Sequence, residues 1–583
     1  MSKRSPRNTK PPSERKPPRK NAPPQVVVQR GGFSWSSLHS YLLLSTLTLA
    51  CLLPFSGRAF AFDDPLFIWA AKHIVQHPFD PYGFQVNWYG DEMSMSEVTK
   101  NPPLDSYYAA GIGEMTHWSE RGLHLAFLLP ALLTVLGTYR LAGRFTRHPL
   151  LAALVLLLSP AFLVSATSVM CDVPMLAFWV WAAILWTEGC QSERAPFLIT
   201  SAILMGACAL TKYFGAALIP LLLAYSLARK RRAGIWALYF SIPIGVILGY
   251  QLCTLSLYSR GLFSDAASYA TDAHGEGLSI FAKTLIGLAF AGGCAAPVLF
   301  FSPLLWRWKT LLGFATLGAT MGLLVANDWI ALGFAAAHTH WTLISAQLGL
   351  WVACGLSIVA LAAYDTWKRR NSDSMFLALW VAGTVIFAFY VNWTVNARSI
   401  LPMIPAVGIL LARRLEQKRF ALLNWKQAAS LALPLPLAAT MSAWIVSGDT
   451  ALADSARTAA ELIHGKTQET TGTLSFQGHW GFQYYMESLG ATVSDVYRPG
   501  DVAAIPENNT NVSGIPKSAP VSAELFDLTA GKWVTTMQPQ AGAGFYSSLW
   551  GPLPFTFGPI PPERYEIARF FLRRSLPDSQ IQH

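Results

Sequence analysis

The reading of this chain turns on residues 39–69, HSYLLLSTLTLACLLPFSGRAFAFDDPLFIW. Residues 39–57 are long and apolar enough to cross a bilayer. Two carboxylates, Asp63 and Asp64, stand where the chain then leaves it, and Pro65 suits the first position of a helix. Asp64 reads as the N-cap of that helix, a task that does not require Asp63. Leu66, Trp69, Ala70 and His73 recur at steps of three and four, which predicts an amphipathic helix lying in the membrane interface. The basic start, the apolar run and Ala59-Phe60-Ala61 also fit a cleaved signal peptide. The length of the run favours an anchor, and the loop that follows is outside in either case.

The rest of the composition agrees with a membrane protein. Of 583 residues, 52% are hydrophobic and 13% charged, against about 25% charged in soluble domains. Apolar runs recur at 39–57, 122–142, 149–168, 174–188, 196–211, 213–228, 234–255, 280–303, 310–326, 343–363, 375–392, 399–413 and 423–447. Thirteen spans are therefore expected, with the shorter runs leaving the count open between 11 and 14. The net charge of +11 is no nucleic-acid signal, because residues 1–32 carry nine Lys/Arg against Glu14 alone. Residues 1–38 read as a disordered, basic cytoplasmic tail attracted to anionic lipid. Arg140, Arg144 and Arg147, the run Arg229–Arg232, and Lys368-Arg369-Arg370 fall on the same side as that tail if the spans alternate. The N-terminus is thus expected inside a plasma (inner) membrane and the C-terminus outside. The seven cysteines lie in or beside apolar runs, and none forms a CxxC pair.

Three regions follow from this division: the tail 1–38, a transmembrane domain 39–447 with a long outer loop at 58–121, and an outer α/β domain at 448–583. In the last, SARTAAELIH and WGFQYYMESLG read as helices, and GTLSF and ATVSDV as strands. Asn508 and Asn511 match a glycan-acceptor pattern, which has meaning only in a host that glycosylates them. The fold class expected is an all-α polytopic membrane domain with a small extracytoplasmic α/β domain.

Charged residues at the outer ends of spans are the candidates for chemistry, since a carboxylate near the bilayer costs a few kcal/mol on insertion scales. Asp63 and Asp64 follow span one, and Asp172 opens span four. Lys212 lies at a turn between two short spans, Arg260 and His274 in an outer loop, and Arg398 at the start of span twelve. Arg offers a phosphate a planar fork and Lys a point charge. Acids together with phosphate-binding cations on one membrane face point to group transfer from a phosphorylated lipid. His338 and His340 are spaced too closely on a loop to argue for a metal.

The order of these features resembles the C-type glycosyltransferase superfamily, and within it the protein O-mannosyltransferases and the aminoarabinose transferases that modify lipid A. An acidic pair after the first span is matched by Asp63-Asp64, and a Pro-Pro-Leu loop motif by Lys100-Asn101-Pro102-Pro103-Leu104 with Tyr107 close behind. Asp172 matches a second acid, Leu210-Thr211-Lys212 a Thr-Lys turn, and Arg398-Ser399-Ile400-Leu401-Pro402 the start of a late span. This chain departs from both families in having Lys100-Asn101 ahead of the prolines, where a carboxylate available to a metal stands in some relatives. The resemblance implies a polyprenyl-phosphate-linked sugar as donor and a lipid, glycan or protein hydroxyl as acceptor. It implies Asp63 as general base with Asp172 in support, and Lys212, Arg260, His274 and Arg398 on the donor phosphate. Asp64, Lys100, Asn101, Pro102, Pro103 and Tyr107 would shape the acceptor and donor loop. It leaves open a divalent metal at Asp63. A secondary transporter of an anionic or lipid-linked substrate is the alternative from another class, although no internal repeat supports it. A non-catalytic membrane scaffold is a third, and it requires Asp63, Asp172 and Arg398 to lie far apart.

Overall fold

A computed structural model describes residues 35–272, 278–334, 340–418, 432–470, 472–515, 521–531 and 533–571. Among them, seven helices are long and apolar enough to cross a membrane. A bent pair, Ile280–Cys294 and Pro297–Leu305, makes an eighth if it is one span. Within the described residues the expected runs resolve into long helices and shorter, broken ones; the first part of the run 423–447 lies outside the described residues. The run 149–168 divides into Pro149–Leu157 and Pro160–Ser165. Ser159 caps the second piece through Phe162 N at 3.4 Å, and Pro160 cannot continue the first. Both pieces are largely enclosed by protein, so their apolarity reflects a core rather than a lipid face. The run 280–303 turns by 89° ahead of Pro297 for the same reason.

The helix after the first span is Asp64–Gln76. Its buried residues are Asp64, Pro65, Phe67, Ile68, Ala70, Ala71 and Ile74. Of the face expected in the membrane interface, Ala70 is buried in protein and Leu66, Trp69 and His73 are partly exposed. Large residues on both sides of the helix hid which side faces the core. The loop also holds a hairpin of β1 (Gln85–Asn87) and β2 (Glu92–Ser94), and a second helix, Leu104–Thr116, that packs on the first.

The C-terminal region contains a five-stranded sheet of β3 (Leu474–Phe476), β4 (Thr492–Val493), β5 (Val502–Pro506), β6 (Val521–Leu528) and β7 (Glu563–Phe570). The strand order is β4-β3-β5-β7-β6. β3 pairs in parallel with β4 and β5, and β7 runs antiparallel to β5 and β6. Helix Trp480–Ser488 makes the crossover between β3 and β4. The helices and strands expected from SARTAAELIH, WGFQYYMESLG, GTLSF and ATVSDV all occur. One 34-residue helix, Pro434–Thr467, runs through the boundary drawn at 447/448. Gly448 there permits close packing: a Cβ would meet the Val534 carbonyl oxygen at 2.7 Å.

The two parts share one seam around residues 58–62. Arg58 is fully enclosed and pairs with Asp64 at 3.3 Å and Asp449 at 3.1 Å. Ala59 N donates to Asp454 (2.9 Å) and Phe60 N to the Tyr485 hydroxyl (2.8 Å). Gly481 packs on this segment so tightly that a Cβ would lie 2.1 Å from the Phe60 carbonyl oxygen. A second attachment runs from Ala397 N to Phe545 O, at 2.8 Å.

Candidate active site

Asp63 follows directly on that seam. Phe62 before it adopts a left-handed backbone, φ 50°, which is uncommon for a residue with a bulky side chain. The strain is held by aromatic packing: Tyr546 stacks on the Phe62 ring at 3.7 Å and Trp480 lies at 5.3 Å. Adjacent residues at a helix start point about 100° apart, which separates the two carboxylates. Asp64, read above as an N-cap, is instead the first helical residue, and Asp63 holds the cap position without a side-chain bond. Asp64 turns inward. Its carboxylate accepts from Ala61 N and Val169 N, each at 2.9 Å, and from Arg58. Burial pushes its pKa up to about 6 against the pull of Arg58 and those two N–H groups.

Asp63 turns the other way and pairs with Arg398, Oδ2 to guanidinium nitrogen at 2.7 Å. The pair is partly open, with side chains 28% and 16% exposed. Arg398 is placed by a short helix, Ala397–Ile400, whose cap is Asn396 accepting from Ser399 N at 2.8 Å. Its guanidinium also meets Met170 Sδ at 3.1 Å and lies 5.7 Å from the centre of the Tyr546 ring.

Asp172 opens the helix Asp172–Ser192 and forms an ion pair with Lys212. Lys212 comes from the turn after Ala195–Thr211. Gly215 allows the chain to double back there, since a Cβ would lie 2.3 Å from the Cys208 carbonyl oxygen. The charges of both Asp63 and Asp172 act on Arg398, so the two pairs lie near each other. Asp172 Oδ2 and Arg398 Nε have no hydrogen-bond partner among the described residues.

The remaining predicted residues are less uniform. Asn101 reaches the cluster, its Oδ1 accepting from Cys171 Sγ at 3.5 Å, while its carbonyl accepts from Tyr82. Pro102 is buried, and Pro103 is the residue before helix Leu104–Thr116. Lys100 donates to Glu97 O (2.6 Å) and lies 5.2 Å from the Tyr269 ring centre. Burial and the nearby Arg260 hold its amine below the ordinary lysine value. Arg260 is occupied by Glu97 (2.6 Å) and Asp265 (2.8 Å). Tyr107 points away to the Pro78 carbonyl at 2.6 Å. His274 and His338 lie outside the described residues.

Three participants escaped the sequence reading. Asp105 is fully buried, with neither oxygen hydrogen-bonded among the described residues. Burial, reinforced by Asp172 and Asp64, pushes its carboxyl well above the usual range. Its place directly after the Pro-Pro-Leu motif was the available signal. Arg58 and Tyr546 had none, because their partners are hundreds of residues away. A divalent ion does not fit at Asp63: its partner is a guanidinium, and no three of His, Cys, Asp or Glu gather as ligands among the described residues.

Residues 100–256 match the family model of dolichyl-phosphate-mannose-protein mannosyltransferases. No curated protein matches the chain. Among solved structures, it is similar to ArnT from Cupriavidus metallidurans bound to undecaprenyl phosphate, 13% identical over 82% of this chain and 94% of that one, TM-score 0.49. It is similar to the archaeal oligosaccharyltransferase AglB from Archaeoglobus fulgidus, in complex with an inhibitory peptide and a dolichol-phosphate, at 14% identity, 78% and 63% coverage and TM-score 0.45. It is also similar to the S. cerevisiae protein O-mannosyltransferase Pmt1-Pmt2 complex bound to the sugar donor, at 13%, 40% and 35%, and 0.31. The matching family and these proteins all belong to the C-type glycosyltransferase superfamily, which the motifs of this chain were read as resembling.

Proposed function

We propose that the protein is a membrane glycosyltransferase that moves a sugar from a polyprenyl-phosphate carrier to an acceptor hydroxyl. The observation that carries this reading is the cluster of Asp63, Arg398, Asp172 and Lys212, in which Asp63, Arg398 and Lys212 keep partial exposure. The family match over residues 100–256 supports the choice of a lipid-phosphate donor.

The acceptor oxygen attacks the anomeric carbon. Its proton passes to the Asp63 carboxylate while the bond from the anomeric carbon to the phosphate oxygen breaks. The electron pair leaves on the lipid phosphate, where Arg398 and Lys212 meet the added charge. Arg398 must then share its donors between Asp63 and the phosphate. Asp172, itself buried, holds Lys212 in place. Fixed charges of this kind act strongly in a site that excludes water. Asp64 takes no part, because its oxygens are already engaged. The basic clusters, expected on the cytoplasmic side, support an extracytoplasmic site.

The test is incubation of the purified protein with a panel of labelled polyprenyl-phosphate sugars and scoring of release of the lipid phosphate. Release from at least one donor, lost in Asp63→Asn with donor binding retained, supports the reading. Undiminished release in Asp63→Asn removes Asp63 as the base.

A further inference from the structure

The helix that opens on Asp63 continues away from the site, and its half-exposed stripe lines a cleft of about 790 Å³. Trp69, Lys72, His73 and Gln76 stand on that wall at helical spacing. The hairpin supplies Phe84, Gln85, Asn87 and Glu92, and the C-terminal region closes the far side with Glu487 and Thr492. At about 1.5 Å per residue, Trp69 lies roughly 9 Å and Gln76 roughly 20 Å along the helix from Asp63. The cleft therefore leads away from the proposed reaction centre.

Its chemistry selects a ligand class. The wall contains one cation, Lys72, and two carboxylates, Glu92 and Glu487, so it does not favour an anion. Burial and the neighbouring His77 hold His73 below its ordinary value, so it adds no charge near neutrality. Its Nε2 is enclosed and has no hydrogen-bond partner among the described residues. The side chains of Gln76, Gln85, Glu92 and Thr492 likewise hold no hydrogen bond among the described residues. Amides and hydroxyls that both donate and accept, beside carboxylates that accept, match a ligand dense in hydroxyl groups. The Trp69 and Phe84 rings offer surfaces for the C–H faces of sugar rings. The framework is rigid: Gln483 bridges the walls by donating to Asn87 O (2.8 Å) and to Glu487 (2.7 Å). Lys72 is held near the Trp118 and Tyr484 rings, 5.6 Å and 5.2 Å from their centres. A peptide would pair with a strand edge, but the strands here, β1 and β4, are three and two residues long and offer almost no ladder.

We propose that this cleft is a saccharide-binding site that receives the glycan part of the acceptor. That the saccharide is the acceptor rests on the glycosyl-transfer reading above; that a saccharide binds does not.

The test is calorimetric titration of the full chain in nanodiscs with maltohexaose, chitohexaose and an uncharged decapeptide. Saturable binding of at least one hexasaccharide is expected, with Kd raised at least fivefold by Gln85→Ala and by Glu487→Gln, both at exposed positions. Asp63→Asn should leave that Kd within twofold. No saturable binding of either hexasaccharide, binding of the peptide alone, or a Kd unmoved by both cleft variants would overturn the proposal. Because titration needs no donor, a failure of the transfer assay leaves this result intact, and the converse holds.

Discussion

Two adjacent carboxylates on one helix start meet opposite fates here. Asp64 lies in the seam, fully enclosed, bonded to two backbone N–H groups and to Arg58, which in turn holds Asp449. Asp63 lies in the cluster, paired among the described residues with Arg398 and still reachable by solvent. Burial with both oxygens engaged makes a carboxylate a structural part, because moving it strands its partners. Partial exposure with a single, exchangeable partner makes it available for chemistry. Helical geometry, which turns adjacent residues about 100° apart, lets neighbouring side chains enter such different surroundings.

Substitution can break this comparison directly. Asp63→Asn should lower transfer by about 10²–10⁴-fold, the contribution of a general base, and leave the melting temperature in detergent near wild type. Asp64→Ala should do the reverse in kind, costing about 3–5 kcal/mol of stability by leaving Arg58 short of one buried partner. Thermal unfolding of the two variants side by side decides the matter: equal destabilisation would erase the distinction.

Glu563 sharpens it, being a buried carboxylate without a cation. Asn508 and Gln538 donate to it, yet burial still raises its pKa from 4.5 to about 7. The folded state therefore holds this proton more tightly than the unfolded state. Below pH 4.5 both states are protonated and the group costs nothing; as pH rises from 4.5 to 7, stability should fall by roughly 3 kcal/mol. Glu563→Gln should flatten that slope in unfolding measured against pH. The smallest effect belongs to the link between the two regions. Tyr546→Phe keeps the ring on Phe62 and near Arg398 but removes the hydroxyl bonds to Asp449, at 3.2 and 3.3 Å. A loss of about 1 kcal/mol with near-normal transfer is expected; a large loss of transfer would show that the hydroxyl matters to the open cluster too.

The class of the fold was legible because apolar length and binary pattern are local properties. The strands and helices of the C-terminal sheet were legible for the same reason. Where an apolar run met Ser159-Pro160 or Pro297, the breaker was visible, but its effect was underestimated because lipid-facing and core-facing apolarity look alike along the chain. The helix Pro434–Thr467 crosses the boundary at 447/448 because the apolar run ends there while the helical pattern continues. In the site, Asp63, Asp172, Lys212 and Arg398 stood out as charges in apolar surroundings. Arg260 stood out equally, yet Glu97 and Asp265 occupy it.

By itself the sequence determined a helical membrane protein with a mixed C-terminal domain, and it marked which charges stand at the ends of apolar runs. Only the tertiary structure decided which of those charges meet, that Asp64 belongs to Arg58 and Asp63 to Arg398, and that Tyr546 touches both. The physical reason is separation: hydropathy is a sum over neighbours in the chain, whereas an ion pair between residues 63 and 398 exists only after the helices between them have packed.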